Sequence, residues 1–307
     1  MLKNRIILYH LIAILTVAIW GTTFVSTKIL IAKGLSPSEI FLYRFLLAYG
    51  CILLVSSKKF RANSLKDEVM LMLCGIFGGS LYFIAENTAL GITLASNVSL
   101  LICTTPILTA LLFSFFHREK LHKRMLYGSF TALLGVSLIV FNGSILLKIN
   151  PLGDFLTIIA ATSWAFYCLL LKKLGKIYST LFITRKVFFY GILSLGLYSV
   201  TIQPINLQPA LLTEPVVFLN LLFLGIVASM LCYIMWNATV KILGASKATN
   251  YIYIVPLVTL LTSAAILNET ITLISLVGSL CIIGGVYLAE RKDIQFNKKR
   301  NKITERT

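Results

Sequence analysis

A single carboxylate, Glu86, lies inside a long apolar stretch, one helical turn from Tyr82. An ionisable side chain in such a stretch is costly and needs either a partner or a role. Because removal from water favours the neutral form of a carboxyl group, Glu86 is a candidate for taking up and releasing a proton or for attracting a cation. The alternative is a protonated or hydrogen-bonded glutamate that only joins neighbouring helices.

Tryptophans and isolated polar side chains in other apolar stretches are further candidates for binding a small molecule. Trp20 and Trp164 lie well inside their stretches, where their rings could line an apolar cavity or simply pack. Polar groups that converge on apolar helices are typical of a small-molecule pocket, although each one alone is more often an interhelical hydrogen bond. The candidate binding residues are Trp20, Thr23, Tyr82, Glu86, Asn97, Thr104, Trp164, Asn237 and Tyr253.

Two prolines, Pro106 and Pro256, lie in the middle of apolar stretches. A proline inside a helix removes one hydrogen bond and tends to kink the helix. Kinked helices around a central cavity could open and close it, so these prolines are the candidate gating residues. A static bend filled by neighbouring side chains is the alternative.

Four basic residues lie toward the ends of their apolar stretches: Lys28, Arg44, Arg185 and Lys186. Long basic side chains in such positions can reach the polar headgroups of a membrane. A site for anionic solutes is the other interpretation.

Other kinds of chemistry lack the residues that they need. The six cysteines lie singly in apolar stretches without CxxC spacing, and the histidines form no ligand cluster, so no metal site is expected. The chain has neither an HExxH motif nor clustered aspartates, which argues against an enzyme. It also lacks a phosphate-binding loop of the GxxxxGK type. We therefore expect no catalytic residue, no cofactor and no direct use of ATP.

The composition indicates that much of the chain lies in lipid. Of the 307 residues, 58% are hydrophobic and only 13% are charged, whereas about a quarter are charged in soluble domains. A helix needs about 20 mostly apolar residues to cross a membrane. We predict an all-α integral membrane protein whose ten transmembrane helices cover approximately 8–32, 38–57, 67–90, 94–116, 122–141, 152–173, 179–201, 215–239, 244–267 and 271–290.

The net charge of +17 predicts how these helices are oriented rather than a nucleic-acid partner. No RNA-binding signature, zinc finger or basic recognition helix is present. The basic residues concentrate in loops on one side of the membrane if both termini are cytoplasmic, as the positive-inside rule requires. We expect a multi-pass protein of the plasma (inner) membrane whose basic tail lies near anionic headgroups.

The two halves of the chain repeat each other at a spacing of 150 residues. With five helices in each half, the second half must enter the membrane in the opposite orientation, and such inverted repeats give transporters two exchangeable conformations. The matched residues are Gly75 and Gly225, Asn87 and Asn237, Ala95 and Ala245, Ser96 and Ser246, Pro106 and Pro256, Thr109 and Thr259, Glu119 and Glu269, Gly128 and Gly278, Ser129 and Ser279, and Gly135 and Gly285.

Small residues form a stripe on one face of the fifth predicted helix, at Gly128, Ala132 and Gly135, and its counterpart carries Gly278 and Gly285. Small residues let membrane helices approach each other closely. The sequence leaves open whether this contact joins the two halves or two subunits.

These motifs resemble those of the EamA branch of the drug/metabolite transporter superfamily. The WGTTF sequence at residues 20–24 is similar to the opening pattern of that family, and residues 89–135 resemble its closing pattern. Residues 245–285 repeat the closing pattern, whereas Trp164 is followed by alanine where the family has glycine. The resemblance covers roughly residues 8–290.

The resemblance implies two EamA-like five-helix repeats, 8–141 and an inverted 152–290, followed by a cytoplasmic tail, 291–307. The family carries out secondary transport, often export, of amino acids, metabolites or toxic compounds. We therefore expect a secondary transporter that exports a small metabolite, such as an amino acid or a related compound, by alternating access. Multidrug or toxic-compound efflux is the alternative, followed by a channel or a lipid scramblase. The expected partners are the solute and membrane lipids.

Overall fold

The protein is built from helices. A computed structural model of the chain describes residues 2–56, 60–93, 95–118, 123–141, 150–201, 205, 207–267 and 272–290, and these contain no β-strand. The α-helices are α1 (Leu2–Ala32), α2 (Pro37–Val55), α3 (Leu65–Gly75), α4 (Leu81–Ile92), α5 (Ala95–Ile102), α6 (Thr105–His117), α7 (Lys123–Phe141), α8 (Pro151–Ile177), α9 (Thr180–Thr201), α10 (Pro215–Leu222), α11 (Cys232–Leu243), α12 (Ala245–Asn250), α13 (Val255–Leu267) and α14 (Leu273–Glu290).

Within the described residues, seven helical rods are long and apolar enough to cross a membrane, and Leu273–Ala289 is a shorter apolar helix. Large apolar side chains lie on the outside, such as Leu54 at 86% exposed, as is expected of helices surrounded by lipid. The predicted class of an all-helical, multi-pass membrane protein is therefore confirmed. The tail predicted at 291–307 lies outside the described residues. The seven rods are Ile6–Ala32, Pro37–Val55, Leu65–Ile92, Val98–His117, Pro151–Ile177, Thr180–Thr201 and Pro215–Leu243.

Polar side chains fix where several helices begin. Ser36 and Glu39 form a capping box at the start of α2, in which each side chain bonds the backbone nitrogen of the other residue, at 3.2 and 2.9 Å. Ser64 caps α3, and Asn150 caps α8 by accepting a hydrogen bond from Gly153 N at 3.0 Å. These caps satisfy backbone donors that a helix leaves unpaired at its start.

Irregular backbone segments interrupt the rods at matching places. A π-helical segment, Ile76–Ser80, joins α3 to α4, and another, Phe223–Leu231, joins α10 to α11. A turn at residues 103–104 separates α5 from α6, and a 3₁₀ segment, Tyr251–Ile254, separates α12 from α13. Each pair of irregular segments is related by the 150-residue spacing of the sequence repeat.

The two prolines lie directly after these breaks, in the first turn of the following helix. Pro106 is the second residue of α6, and Pro256 is the second residue of α13. The backbone is interrupted on the N-terminal side of each proline, where a proline disturbs helical geometry, and the gating role stays a prediction. Because the first turn of a helix does not use its backbone N–H groups, proline fits there without loss of a hydrogen bond. The break precedes the proline.

Small residues bring α7 and α14 into backbone contact. A Cβ atom added at Gly135 would lie 2.5 Å from the carbonyl oxygen of Gly278, and one added at Gly285 would lie 2.5 Å from the backbone nitrogen of Ala132. Side chains do not fit at such distances, so both positions require glycine. The stripe therefore joins the two halves of the chain, which answers the question that the sequence left open.

Replacing Gly285 by leucine is expected to destabilise the protein, because the new side chain would collide with the backbone of α7. Overpacking of this kind costs about 1–3 kcal/mol or more, so the apparent Tm in detergent should fall by several degrees. The matched control is Gly284→Leu, since a Cβ atom at Gly284 has nothing within 4 Å. Heating the purified protein and measuring the fraction that stays monodisperse gives both Tm values. Equal Tm values would contradict the close contact.

Candidate functional site

A narrow cleft with an empty volume of about 520 Å³ lies in the middle of the helix bundle. Its walls come from α1, α2, α4, α8 and α11 and from the segments around the two helix breaks. Most of the lining is apolar or aromatic, which is usual for a small-molecule site. The lining residues are Trp20, Thr23, Phe24, Arg44, Tyr82, Phe83, Glu86, Ile102, Thr105, Trp164, Tyr233, Ile252 and Val255.

Aromatic rings form the frame of this cleft. The ring centroids of Trp20 and Trp164 are 5.2 Å apart with perpendicular planes, and the Tyr82 ring is 5.0 Å from Trp164. Trp236 lies behind them, with its centroid 5.1 Å from that of Trp20 and 5.9 Å from that of Trp164. Since the chain contains three tryptophans in all, its intrinsic fluorescence reports on this one region.

The two π-helical segments supply backbone acceptors for these rings. The carbonyl of Gly78 accepts a hydrogen bond from the Tyr233 hydroxyl, and the carbonyl of Ala228, 150 residues further on, accepts one from Trp20 Nε1 at 3.0 Å. A π turn shifts the helical hydrogen bonds by one residue and so leaves a carbonyl available to a side chain. The irregular backbone therefore positions the aromatic frame.

Glu86 is the carboxylate of the cleft. It is 7% exposed, and its Oε1 accepts a hydrogen bond from the hydroxyl of Tyr82, one turn earlier on α4, at 2.7 Å. A buried charge needs such a partner, because burial without one costs several kcal/mol. Glu86 is therefore held in place by Tyr82 with its carboxylate at the wall of the cleft.

Arg44 is the cation of the cleft. It is 2% exposed, its Nε donates a hydrogen bond to Ser229 Oγ at 2.9 Å, and its guanidinium carbon lies 4.2 Å from the centre of the Phe83 ring. The interpretation that Arg44 reaches the headgroups is therefore wrong, because the side chain turns into the bundle. Arg44 and Glu86 therefore face the same cleft, one with a guanidinium and the other with a carboxyl group.

Two buried polar atoms of the cleft wall have no hydrogen-bond partner among the described residues: Trp164 Nε1 and Thr105 Oγ1. Unpaired buried polar atoms cost free energy and are uncommon in native proteins. Both atoms can donate a hydrogen bond to a carboxylate or a hydroxyl of a molecule that enters the cleft. The wall thus offers donors in addition to its two charges.

Residues related by the sequence repeat meet in the cleft. The 150-residue spacing relates Ile102 to Ile252, Thr105 to Val255, and Phe83 to Tyr233, and all six line it. The same step takes Glu86 to Trp236, so the second half has no carboxylate at this position. The apolar frame therefore comes from equivalent positions in both halves, whereas the charges of the cleft come from the first.

Five of the predicted binding residues line the cleft together, and they come from α1, α4 and α8. The residue types of the apolar part of the wall do not distinguish it, because such side chains resemble any other core residue. The 150-residue spacing could have found part of it, since it relates the lining pairs. The five predicted residues are Trp20, Thr23, Tyr82, Glu86 and Trp164.

Three other predicted binding residues do not line the cleft. The Thr104 hydroxyl donates to the carbonyl of Leu101 at 2.6 Å, and Tyr253 is fully buried in the core. The Asn237 amide bonds its neighbours on both sides, accepting from the Tyr167 hydroxyl and donating to Thr184 Oγ1. Asn237 therefore joins three helices.

The two remaining predictions concern Asn97 and a metal site. The side chain of Asn97, the remaining candidate, lies outside the described residues. The described residues contain no group of three or more histidines, cysteines, aspartates or glutamates that could hold a metal ion.

The sequence model described as the EamA-like transporter family matches residues 7–141 and 151–290. An uncharacterized transporter of Archaeoglobus fulgidus is 30% identical over 293 residues, which cover 93% of this chain and 98% of that protein. A probable amino-acid metabolite efflux pump of Salmonella typhimurium is 27% identical, with 90% of this chain and 93% of that protein covered.

Two further similarities concern an exporter and a fold. A probable terminal-alkyne amino-acid exporter of Streptantibioticus cattleyicolor is 25% identical over 92% of this chain and 93% of that protein. One solved crystal structure superposes with a TM-score of 0.71 at 17% identity, covering 93% of this chain and 96% of that chain. The structural likeness shows a shared fold.

Proposed function

The chain belongs to the EamA-like transporter family, and on that premise we propose that it is a secondary transporter that exports an amino acid or a related zwitterionic metabolite. The central cleft is the proposed solute-binding site. Two of the relatives are named for amino-acid metabolite efflux and amino-acid export, which supports this class of solute. The substrate is proposed from the chemistry of the cleft wall.

The observation that carries the proposal is the presence of a buried cation and a buried anion in one aromatic cleft. An arginine guanidinium pairs well with a carboxylate, so Arg44 is suited to the carboxylate of an amino acid. Glu86 is suited to its ammonium group, which can also lie against the aromatic faces of Trp20 and Trp164. Trp164 Nε1 and Thr105 Oγ1 add donors for the carboxylate.

Charge balance favours a zwitterion over solutes of a single charge. Arg44 and Glu86 line the same buried cleft, and a solute of a single charge would engage one of them and offer nothing to the other. A zwitterion offers an opposite charge to both at once and leaves no buried charge alone, which is otherwise strongly destabilising. Specificity then comes from the free-energy cost of binding a solute of a single charge, which leaves Arg44 or Glu86 without an opposite charge.

Alternating access is proposed to use two inverted five-helix repeats, 8–141 and 152–290. Paired irregular segments and paired lining residues support this arrangement. Since four of the lining residues lie in or directly beside the helix breaks that precede Pro106 and Pro256, movement at these breaks would open or close the cleft. The α7–α14 contact is proposed to be a rigid joint.

The proposed orientation places both termini in the cytoplasm and the protein in the plasma (inner) membrane. The concentration of basic residues on one side supports this orientation. We also propose that Glu86 exchanges a proton during transport, because a solute ammonium and a proton would compete for the same carboxylate.

Multidrug efflux is the second candidate function. The wall of the cleft is mostly apolar and aromatic, which suits large hydrophobic solutes, and Glu86 alone would attract a lipophilic cation. The two functions differ in the need for Arg44: a cationic drug gains nothing from a buried guanidinium, whereas an amino acid requires it.

Cells that overproduce the protein are expected to enrich the medium in one class of amino acids or related zwitterions, relative to vector-only cells at matched growth. Arg44→Gln and Glu86→Gln each remove a charged hydrogen bond to the solute, worth about 1.5–3 kcal/mol. Each is therefore expected to reduce export roughly tenfold or more. The measurement is the metabolite profile of the medium by mass spectrometry.

The matched controls are Lys33→Gln and Glu214→Gln, which remove the same charges from an exposed ion pair at 2.9 Å that does not line the cleft. They should leave export unchanged. An unchanged profile with the wild-type protein present in the membrane would contradict amino-acid export and favour drug efflux. Drug export that survives Arg44→Gln but not Glu86→Gln would support the second candidate.

Substituting Glu86 by glutamine is also expected to make the remaining transport insensitive to a proton gradient, because an amide cannot exchange a proton. The measurement is uptake of the exported solute into inside-out vesicles at several imposed pH differences. Glu214→Gln serves as the control and should retain the wild-type pH dependence. Glu86→Gln vesicles that respond to the gradient like wild type would remove Glu86 from the coupling mechanism.

A further inference from the structure

Another cavity, with an empty volume of about 540 Å³, lies between α2, α9 and the segment before α3. It is separate from the central cleft, because the two share no lining residue. Three of its six lining residues are basic and the other three are aromatic. They are Tyr49, Phe60, Arg61, Arg185, Lys186 and Phe189.

Arg185 and Lys186 form the inner wall of this cavity. Arg185 is 2% exposed, and its guanidinium donates to Ser56 Oγ at 3.0 Å and lies 4.5 Å from the centre of the Phe60 ring. The ammonium of Lys186 forms an ion pair with the carboxylate of Glu68. Both basic side chains are therefore held in place by these contacts, so the inner wall of the cavity is preorganised.

Arg61 is exposed, and the chain directly after it is anchored by hydrogen bonds. The backbone nitrogen of Ala62 donates to Glu68 Oε2 at 2.8 Å, and that of Asn63 donates to the Tyr178 hydroxyl at 2.7 Å. Ser64 then caps α3. These bonds hold the exposed Arg61 beside the two basic residues of the inner wall.

The cavity carries a net positive charge. Within the described residues, the carboxylate of Glu68 is bonded to Lys186 and accepts a hydrogen bond from the Tyr190 hydroxyl at 2.5 Å. The other nearby carboxylate, Asp67, accepts from the Tyr178 hydroxyl at 2.9 Å and does not line the cavity. Glu68 thus offsets one of three cations, and an anion is the complementary occupant.

The position of the cavity indicates where its occupant comes from. It lies near the start of α9, at the end of the bundle that the basic loops assign to the cytoplasm. From its wall a strip of exposed apolar side chains runs along α9 at intervals of four residues, through Phe189, Leu193 and Leu197. Such a strip lies on one helical face and suits an acyl chain better than water.

We propose that this cavity binds the headgroup of an anionic phospholipid from the surrounding membrane. The phosphate lies among Arg61, Arg185 and Lys186, and an acyl chain follows the apolar strip on α9. Basic pockets between transmembrane helices on the cytoplasmic side are suited to such headgroups. A free phosphate would satisfy the charges but would leave the apolar strip unused.

The test is a lipid titration of the full-length protein purified in a neutral detergent. Short-chain phosphatidylglycerol and phosphatidylcholine are added separately, and the shift in Tm gives an apparent affinity for each. We expect phosphatidylglycerol to raise Tm at lower concentrations than phosphatidylcholine does. Glycerol 3-phosphate, which has the charge without acyl chains, should have little effect at the same concentrations.

Substitutions in the cavity test whether the lipid binds there. Arg61→Gln and Arg185→Gln should each weaken the binding of phosphatidylglycerol roughly fivefold. A basic residue near anionic lipid contributes about that factor to the affinity. Arg185→Lys keeps the charge and should retain most of the binding. The control is Lys176→Gln, which removes an exposed charge at the end of α8, on the same side of the membrane, and should match wild type.

Three outcomes would overturn the proposal: equal shifts with both lipids, a loss in Lys176→Gln as large as in Arg61→Gln, or a glycerol 3-phosphate affinity equal to that of the lipid. The last outcome would assign the cavity to a soluble anion. If Arg185→Gln does not fold, the exposed Arg61 decides the question, because its substitution removes no internal contact that the structure describes.

Discussion

A guanidinium and a carboxylate share one buried cleft, and the helices around them provide both charges with partners. Neither charge is tolerated in an apolar bundle without them, because desolvation costs several kcal/mol per ion. Tyr82 bonds Glu86, while Ser229 and Phe83 hold Arg44. Ser229 belongs to the π-helical segment Phe223–Leu231, so the irregular backbone of that rod carries the hydrogen-bond acceptor of the buried cation.

The repeat explains why the cleft lies between the two halves of the chain. It also makes clear that both charged residues of the cleft come from the first half. Equivalent π-helical segments offer the Gly78 and Ala228 carbonyls to Tyr233 and Trp20, and equivalent helix breaks supply matched apolar walls. A frame related by symmetry suits a site that is approached from both sides of a membrane. Specificity requires asymmetry, and Trp236 stands where the first half has Glu86. The frame of the cleft is thus common to both halves, whereas its carboxyl group belongs to the first half.

Sequence reasoning found the membrane class and part of the cleft because charged groups and tryptophans are conspicuous in apolar helices. Trp20, Trp164 and Glu86 stood out for that reason. The sequence-based prediction was wrong where the role of a residue depends on the direction in which its side chain points. Arg44 looked like a residue that reaches headgroups, because nothing in its neighbours states which face of α2 turns inward. Asn237 looked like a ligand, because an amide that bonds two other helices has no distinct pattern.

The irregular backbone segments could not be predicted from the sequence either. The π-helical segments have no composition that distinguishes them from ordinary apolar helix, and the prolines indicated bends without locating the breaks before them. The glycine stripe was read correctly as a close contact, since small residues at helical spacing have one simple use in a membrane. Its partner became clear only when α7 was seen against α14, where Gly135 and Gly278 meet.

The most direct test of the paired-charge cleft is binding of the exported amino acid and two single-charge derivatives, its methyl ester and its N-acetyl form. Tryptophan fluorescence of the purified protein is the readout, because Trp20 and Trp164 line the cleft and Trp236 packs against both. The account predicts a saturable change with the amino acid and at least roughly tenfold weaker binding of both derivatives, as expected when a buried charge loses its partner. Equal binding of the ester would contradict a role for Arg44 and with it the central claim.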